Sequence, residues 1–242
     1  MLQIKMKYPG ILLLVLFSLS LTAQQPGQIA LQDLYQDVLH PSDAILNGRE
    51  YKYYFNQRHS PLIPKDYSAS TTVLIRKKLY QNVALKYDFY KDLLIYFYPE
   101  NSYNSMITPV IVNSNIIEEF TLQLASGQAR FRYLTFPEDQ KGLLNNGFYE
   151  IVSEGDCMFI IDHNAIKKIQ DNELVYHYFT ERYIISFGIV HRIKGKKSLL
   201  RAFSDQAAEV SKYLKRSKIQ VRSADKEQIN GVLEYYMSLK HL

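Results

Sequence analysis

The feature that most constrains this chain is the spacing of its apolar runs between residues 71 and 193. The runs are short, they alternate in polarity, and the gaps between them are too brief for crossover connections. Residues 71–76 form one run. In the next, Val83, Leu85, Tyr87 and Phe89 alternate with Ala84, Lys86, Asp88 and Tyr90, and residues 93–98 form a third. A period of two places alternate side chains on one buried face, which is the pattern of a β-strand. Turns are predicted at 78–82 and at Lys91-Asp92. Since a parallel crossover takes about a dozen residues or more, connections this short force antiparallel neighbours.

The pattern continues through 108–112, 117–124, 129–136, 148–152, 158–161, 174–180 and 183–193. Gly127, Asn145-Asn146-Gly147 and Gly155 supply turn chemistry between the runs. The fold class predicted is mainly β (α+β): a large curved antiparallel meander sheet or half barrel, with a sandwich as the alternative. After Gly195 the period lengthens. Leu199, Leu200, Phe203, Ala207, Val210 and Leu214 fall at helical spacing, as do Ile229, Val232, Leu233 and Tyr236, with Ser198, Ser204 and Ser223 as expected N-caps. Two or three carboxy-terminal helices should close the chain, each burying a narrow stripe on the sheet.

The amino terminus sets the compartment. Lys5 and Lys7 precede an apolar run from Ile11 to Leu21, followed by Thr22-Ala23-Gln24, the order of a secretory signal peptide cleaved after Ala23. The run is shorter than the roughly 20 residues that span a bilayer as a helix. Three segments are therefore expected: a signal peptide at 1–23, an antiparallel sheet domain at 24–195 with a short helix within 24–40, and a helical segment at 196–242. Export to the periplasm, cell surface or medium follows. No second long apolar run occurs after residue 24, so no transmembrane span is expected after cleavage.

Charge adds little. The whole chain carries a net +5, and without Lys5 and Lys7 it has 27 basic against 24 acidic residues, a net of +3. Basic residues gather at Arg76-Lys77-Lys78, along 191–197 and along 212–222; solvated turns or helix faces are the expected reading, with contact to phosphate-rich lipid or anionic glycan as the alternative. Nucleic acid is not an expected partner, given the export signal and the lack of a recognition module. The single cysteine, Cys157, has no partner for an internal disulfide and lies in an apolar run, so a buried thiol is expected.

No Gly-rich phosphate loop, Gly-x-Ser-x-Gly elbow, His-Glu-x-x-His helix or Cys-x-x-Cys pair occurs in the sequence. The polar candidates are Asp162-His163 at the end of an apolar run, His177 with His191 on neighbouring strands, Glu118-Glu119, and Asp88 with Asp92 as paired carboxylates. Each has an ordinary reading as a turn or wet strand face. No residue is assigned a catalytic, cofactor-binding or metal role, no cofactor is expected, and ligand-contact residues are left unknown. The 20 Tyr and 12 Phe suit ring packing across a sheet first and recognition of peptide or sugar second, and the absence of Trp counts against carbohydrate binding.

The run from Tyr80 to Ile95, together with Lys197-Ser-Leu-Leu-Arg-Ala-Phe-Ser-Asp205 and Val232-Leu-Glu-Tyr-Tyr-Met-Ser-Leu239, resembles a family of uncharacterised exported β-rich proteins of Gram-negative bacteria. The resemblance implies a periplasmic or surface setting and no catalytic residues. Three functions follow as expectations: a non-enzymatic envelope or secreted binding or structural protein whose partner is a peptide, glycan or lipid; a hydrolase of envelope or extracellular polymers using Asp162, His163, His177 or nearby carboxylates; or a periplasmic lipid or lipoprotein carrier.

Overall fold

A computed structural model describes residues 49–54, 60–63, 71–97, 109–137 and 143–240. The expected signal peptide and the short helix within 24–40 lie outside the described residues. The described chain is an antiparallel β-structure closed by helices. Its strands are β1 (Leu62–Ile63), β2 (Thr72–Ile75), β3 (Lys78–Gln81), β4 (Leu85–Asp88), β5 (Leu93–Tyr96), β6 (Val110–Ile111), β7 (Ile117–Leu124), β8 (Gly127–Leu134), β9 (Gly147–Ser153), β10 (Cys157–Gln170), β11 (Glu173–Ser186) and β12 (Ile189–Arg192). The helices are α1 (Lys196–Ala202), α2 (Ala207–Arg216) and α3 (Lys226–Lys240).

The strands divide between two sheets. The larger has eight strands in the order β12-β11-β10-β9-β8-β7-β2-β3 and is open, with β12 and β3 at its edges; the smaller runs β1-β4-β5-β6. The chain leaves one sheet for the other at Asn82, which sits at φ 54°, a left-handed conformation that asparagine tolerates better than most residues. Sequence alternation marked the apolar faces but could not separate the two sheets, nor show that Lys86, Asp88, Glu150 and His163 are buried as well.

One face of the large sheet carries two apolar blocks side by side. In the first, Leu85 and Tyr87 of β4 and Phe89 of the turn after it pack on Phe120 and Leu122 of β7, Phe131 of β8 and Phe148 of β9. Phe120 and Phe131 stack at 5.0 Å, and Tyr87 lies within 6.0 Å of both and of Phe148. In the second, Phe159, Ile161 and Ile184 of β10 and β11 pack on Leu199, Phe203, Val210, Ile229, Val232 and Tyr236 of the helices. Cys157 is buried in this block, where burial pushes its thiol upward. On the opposite face Leu144, Tyr149, Ile151, Ile160, Tyr183 and Val190 form a smaller cluster. Many tyrosines thus serve packing, and Tyr51, Tyr87 and Tyr236 are among the largest fully buried side chains.

Several boundaries differ from those expected. Residues 174–180 and 183–186 belong to one strand, β11, because β10 and β11 pair over fourteen positions without interruption, from Cys157↔Ser186 to Gln170↔Glu173. Asp171 and Asn172 close that hairpin at φ 52° and 63°, the conformation of a two-residue primed turn. The expected turn at 78–82 is mostly β3; the reversal occurs one step earlier, at Arg76 and Lys77, φ 48° and 66°. Ser223 does not cap α3. Asp225 does, its Oδ1 accepting from Gln228 N at 2.7 Å while Gln228 Oε1 accepts from Asp225 N at 3.2 Å, a reciprocal capping box. Ser198 lies inside α1, where its hydroxyl accepts from the backbone N–H groups of Lys194 and Gly195. Arg182 ties β11 to the turn before α3 by donating to the carbonyls of Val221 and Ala224, both at 2.9 Å.

Phe131 is fully buried and touches four other rings, so Phe131→Ala is expected to cost about 3–5 kcal/mol. Ile169→Lys, on the exposed arm of the β10–β11 hairpin, should stay within about 0.5 kcal/mol of wild type. Urea denaturation of the two variants checks both.

Candidate functional site

The site forms where β10 parts from β9. These strands pair only at Phe159, Ile160 and Ile161 of β10, with a bulge between Phe159 and Ile160, and β10 then runs on alone toward its hairpin with β11. The turn between β4 and β5 of the small sheet fills the gap, and Ala165 N donates to Phe89 O at 3.2 Å. That turn is held by the fully buried Asp88. Its Oδ1 accepts from the N–H groups of Tyr90 and Lys91 at 2.9 and 3.1 Å, and its Oδ2 accepts from the hydroxyls of Tyr51 and Tyr54 at 3.0 and 2.7 Å. Asp88 is thereby occupied with structure, and the Lys91 ammonium lies 4.3 Å over the Tyr54 ring.

Between turn and strand lies a cavity of about 230 Å³ lined by Phe89, Tyr90, Asp92, Asn145, Asn146, Tyr149, Asp162, His163 and Asn164, among others. Asp92 accepts from the Tyr87 hydroxyl and from the Phe148 backbone N–H, yet burial dominates and holds its carboxyl above the usual aspartate range. Asp162 is also raised, mainly by burial; a hydrogen bond from Asn164 opposes the shift and the negative charge of Asp92 adds to it. A β-carbon at Gly147 would lie 2.6 Å from Asp92 Oδ2. Glycine there is what lets the carboxylate lie against the β9 backbone. Asp92 itself sits at φ 54° in the β4–β5 turn, a left-handed conformation that aspartate, like asparagine, tolerates better than most residues.

Behind the cavity a polar network crosses the seam between the two apolar blocks. Glu150 of β9 and His163 of β10 are both buried. Glu150 Oε2 contacts His163 Nε2 at 2.6 Å, and Glu150 Oε1 accepts from Lys226 Nζ of α3 at 2.7 Å. Burial alone would raise the Glu150 carboxyl; the bonds from His163 and Lys226 outweigh it and hold the group below its ordinary range. His163 stacks on Phe89 at 5.3 Å, meets the edge of Phe131, and through Nδ1 contacts the hydroxyl of Tyr178 on β11.

Asp162 and His163, expected at a strand end, instead sit in the middle of β10 with opposite directions: His163 faces the seam and Asp162 the other side. The structure joins them to Asp92 in one cavity. Asp88 and Asp92, four residues apart, are separated in role. His177 and His191 do not meet. His177 pairs with Ile166 while His191 pairs with Ile184, seven residues further along β11, or about 23 Å at 3.3 Å per residue. Glu118 accepts from Lys77 N at 2.8 Å, and Glu119 shares Arg130 and Arg132 with Glu154 in a surface ion lattice. A wider open hollow of about 580 Å³ adjoins that lattice, but its Glu119 and Arg132 charges are already paired. Sequence reasoning missed Glu150 and Lys226, which stand 76 positions apart, and Tyr178, which had no signal beyond its place in a tyrosine cluster.

The basic runs occupy a turn and the edge strand β3, the end of β12, and the last turn of α2, where Lys215 and Arg216 complement the helix dipole. Among the described residues no helix is long and apolar enough to cross a membrane, and no group of three or more His, Cys, Asp or Glu side chains is arranged to hold a metal ion. No protein-family model, curated protein or solved structure matches this chain.

Glu150→Gln would leave His163 and Lys226 facing a neutral amide, and a loss of about 3–5 kcal/mol is expected. Because the folded carboxyl is depressed, the contribution of Glu150 is present above its unfolded value and lost as pH falls through the folded one, so the variant should also flatten the acid limb of stability. Asp162 has the opposite sign. Its raised folded pKa favours folding at low pH, and that advantage disappears as pH rises through the folded value. Asp162→Asn should therefore gain on wild type with rising pH above the ordinary aspartate value of 3.8; urea curves recorded from acid to neutral pH test it, and parallel stability profiles would refute it.

Proposed function

We propose that this chain is an exported binding protein that takes one unit of a polyhydroxylated envelope or extracellular ligand, such as a sugar ring, in the cavity between the β4–β5 turn and β10. The observation that carries this reading is the composition of the wall. Asp92, Asp162, Asn145, Asn146 and Asn164 offer carboxylate and amide groups around one small space, with the aromatic rings of Phe89, Tyr90 and Tyr149 beside them. Planar carboxylates and amides supply paired acceptors and donors that suit vicinal hydroxyls, and ring faces suit the C–H side of a sugar. The volume of about 230 Å³ is below the range typical of drug-sized sites, roughly 300–1,000 Å³, which favours a single ring or chain terminus. Export is supported by the amino-terminal pattern of Lys5, Lys7 and the apolar run to Leu21.

A hydrolase is the second reading, favoured by one observation: Asp92 and Asp162 share the cavity and both are held above the ordinary range, the condition for one carboxyl to act as general acid. The lipid-carrier reading has no comparable support, because the sheet face that would hold acyl chains is packed by β4, β5 and the helices.

Calorimetric titration of the protein from Gln24 with a panel of neutral mono- and oligosaccharides tests the proposal. Saturable binding is expected, weakened about tenfold or more, or about 1.4 kcal/mol, by Asp92→Asn. Heat-silent titrations across the panel, with no perturbation of the Tyr90 or Tyr149 resonances in parallel spectra, would overturn it. Release of para-nitrophenol from aryl glycosides, abolished in both Asp92→Asn and Asp162→Asn, would decide for the hydrolase.

A further inference from the structure

Glu150, His163 and Tyr178 stand in a line that the sugar-binding reading does not use. Glu150 Oε2, a carboxylate oxygen, accepts a hydrogen bond from His163 Nε2 at 2.6 Å, and the second Glu150 oxygen accepts from Lys226 Nζ at 2.7 Å. With Nε2 committed as a donor, Nδ1 is the acceptor, and it is the atom that contacts the Tyr178 hydroxyl. The partners set this tautomer, since an ionised carboxylate can only accept whereas a hydroxyl can donate. Carboxylate, imidazole and hydroxyl thus repeat the relation of orienter, base and nucleophile in acyl-transfer triads, with the nitrogens exchanged and a phenol in place of an alcohol. Carboxylate and imidazole are buried, whereas Tyr178 is 46% exposed; burial and then the Glu150 charge hold its phenol above the ordinary range, so its proton has to pass to His163 as the oxygen attacks. A relay anchored in the core and ending at the surface is the geometry a covalent site requires.

We propose that Tyr178 is a nucleophilic tyrosine, with His163 as its general base and Glu150 orienting that imidazole, whose substrate class is a phosphate diester. The cationic partner is Lys167, an exposed residue of β10 opposite Tyr176. It lies two positions from Ala165, the cross-strand partner of Tyr178, and so about 7 Å along the same face. In the reaction the Tyr178 oxygen forms a bond to phosphorus as the bond from phosphorus to the leaving alkoxide breaks. The phenolic proton passes to His163 Nδ1, where Glu150 stabilises the imidazolium, and then to the departing oxygen. The products are an alcohol and a tyrosyl phosphate ester. Water then attacks phosphorus with His163 taking its proton, the bond from phosphorus to the Tyr178 oxygen breaks, a phosphate monoester leaves, and the imidazolium returns the proton to restore the phenol.

The test compares tyrosines within one protein. Tyr53 and Tyr90 are 50% and 42% exposed, which brackets Tyr178, and the contacts of Tyr90 are with the rings of Tyr54 and Tyr176. The full protein is treated with a neutral arylsulfonyl fluoride and the modified residues are mapped by mass spectrometry over time. Tyr178 is expected to react at least about tenfold faster than Tyr53 and Tyr90, in line with ordinary general-base assistance. His163→Gln should bring it to their rate. In a second arm, bis(para-nitrophenyl) phosphate should release para-nitrophenol and leave a phosphoryl adduct on Tyr178. Both signals should vanish in Tyr178→Phe, and Lys167→Ala should slow the reaction of this anion without slowing that of the neutral fluoride. Equal labelling of the three tyrosines in the wild-type protein overturns the nucleophile, whether or not the histidine variant folds. Selective labelling with no release or adduct from the diester overturns the substrate class.

Discussion

The carboxylate of Glu150 is the constraint on which the rest of this structure depends. It lies between two apolar blocks that share one face of the eight-stranded sheet, one made by the small sheet and the other by the helices. A buried anion at such a place is costly unless every lone pair is used. Its two oxygens answer that demand from different directions: His163 on the neighbouring strand, and Lys226 at the start of α3. The pair of bonds therefore ties the helical segment to the sheet and sets the orientation of the imidazole. Removing either partner would strand charge in the core, so the seam tolerates one arrangement.

From that fixed imidazole the geometry spreads outward. His163 forms a wall for the β4–β5 turn through its stack on Phe89, and the turn is independently held by Asp88, whose two oxygens accept four hydrogen bonds. With both sides rigid, the cavity between them is preorganised, and Asp92 and Asp162 are kept in surroundings that oppose their ionisation. The division of labour among nearby carboxyls follows from environment. Asp88 is saturated with donors, Glu150 is met by His163 and the Lys226 ammonium, and Asp92 and Asp162 have too few donors to offset burial. Four acidic side chains of the same chemistry thus acquire separate roles within one region.

How much of this was legible beforehand varies with the range of the interaction. Alternation along β7 and β8 marked their buried faces, and short gaps dictated antiparallel pairing, because both effects act between residues close in sequence; β4 departs from its alternation, being buried on both faces with Lys86 and Asp88 included. The long β10–β11 hairpin was cut in two at Glu181-Arg182, where polar residues interrupt the apolar pattern. Those residues are accommodated in the strand by tertiary partners, Arg182 by the carbonyls before α3 and Glu181 by Tyr183 and Arg192. Likewise Asp162-His163 resembled a strand end because both residues are polar, and the turn chemistry at Asp171-Asn172 carries no glycine to announce it. In the candidate site, Asp162, His163 and Asp92 were visible as polar interruptions, but their convergence was not, since they come from a strand and from a turn of the other sheet.

The sequence by itself determined an antiparallel β-structure ending in amphipathic helices, because side-chain period and connection length are local properties that the backbone enforces wherever the chain goes. The amino-terminal apolar run likewise carries its expectation of export without reference to a fold. Only the tertiary structure decided that the strands form two sheets, that Glu150 meets Lys226 across 76 positions, and that a histidine in mid-strand links a buried carboxylate to an exposed tyrosine. These outcomes depend on which faces pack together and how strands fall into register over long separations. A buried polar group finds its partners in three dimensions, and neither periodicity nor composition records which ones they are.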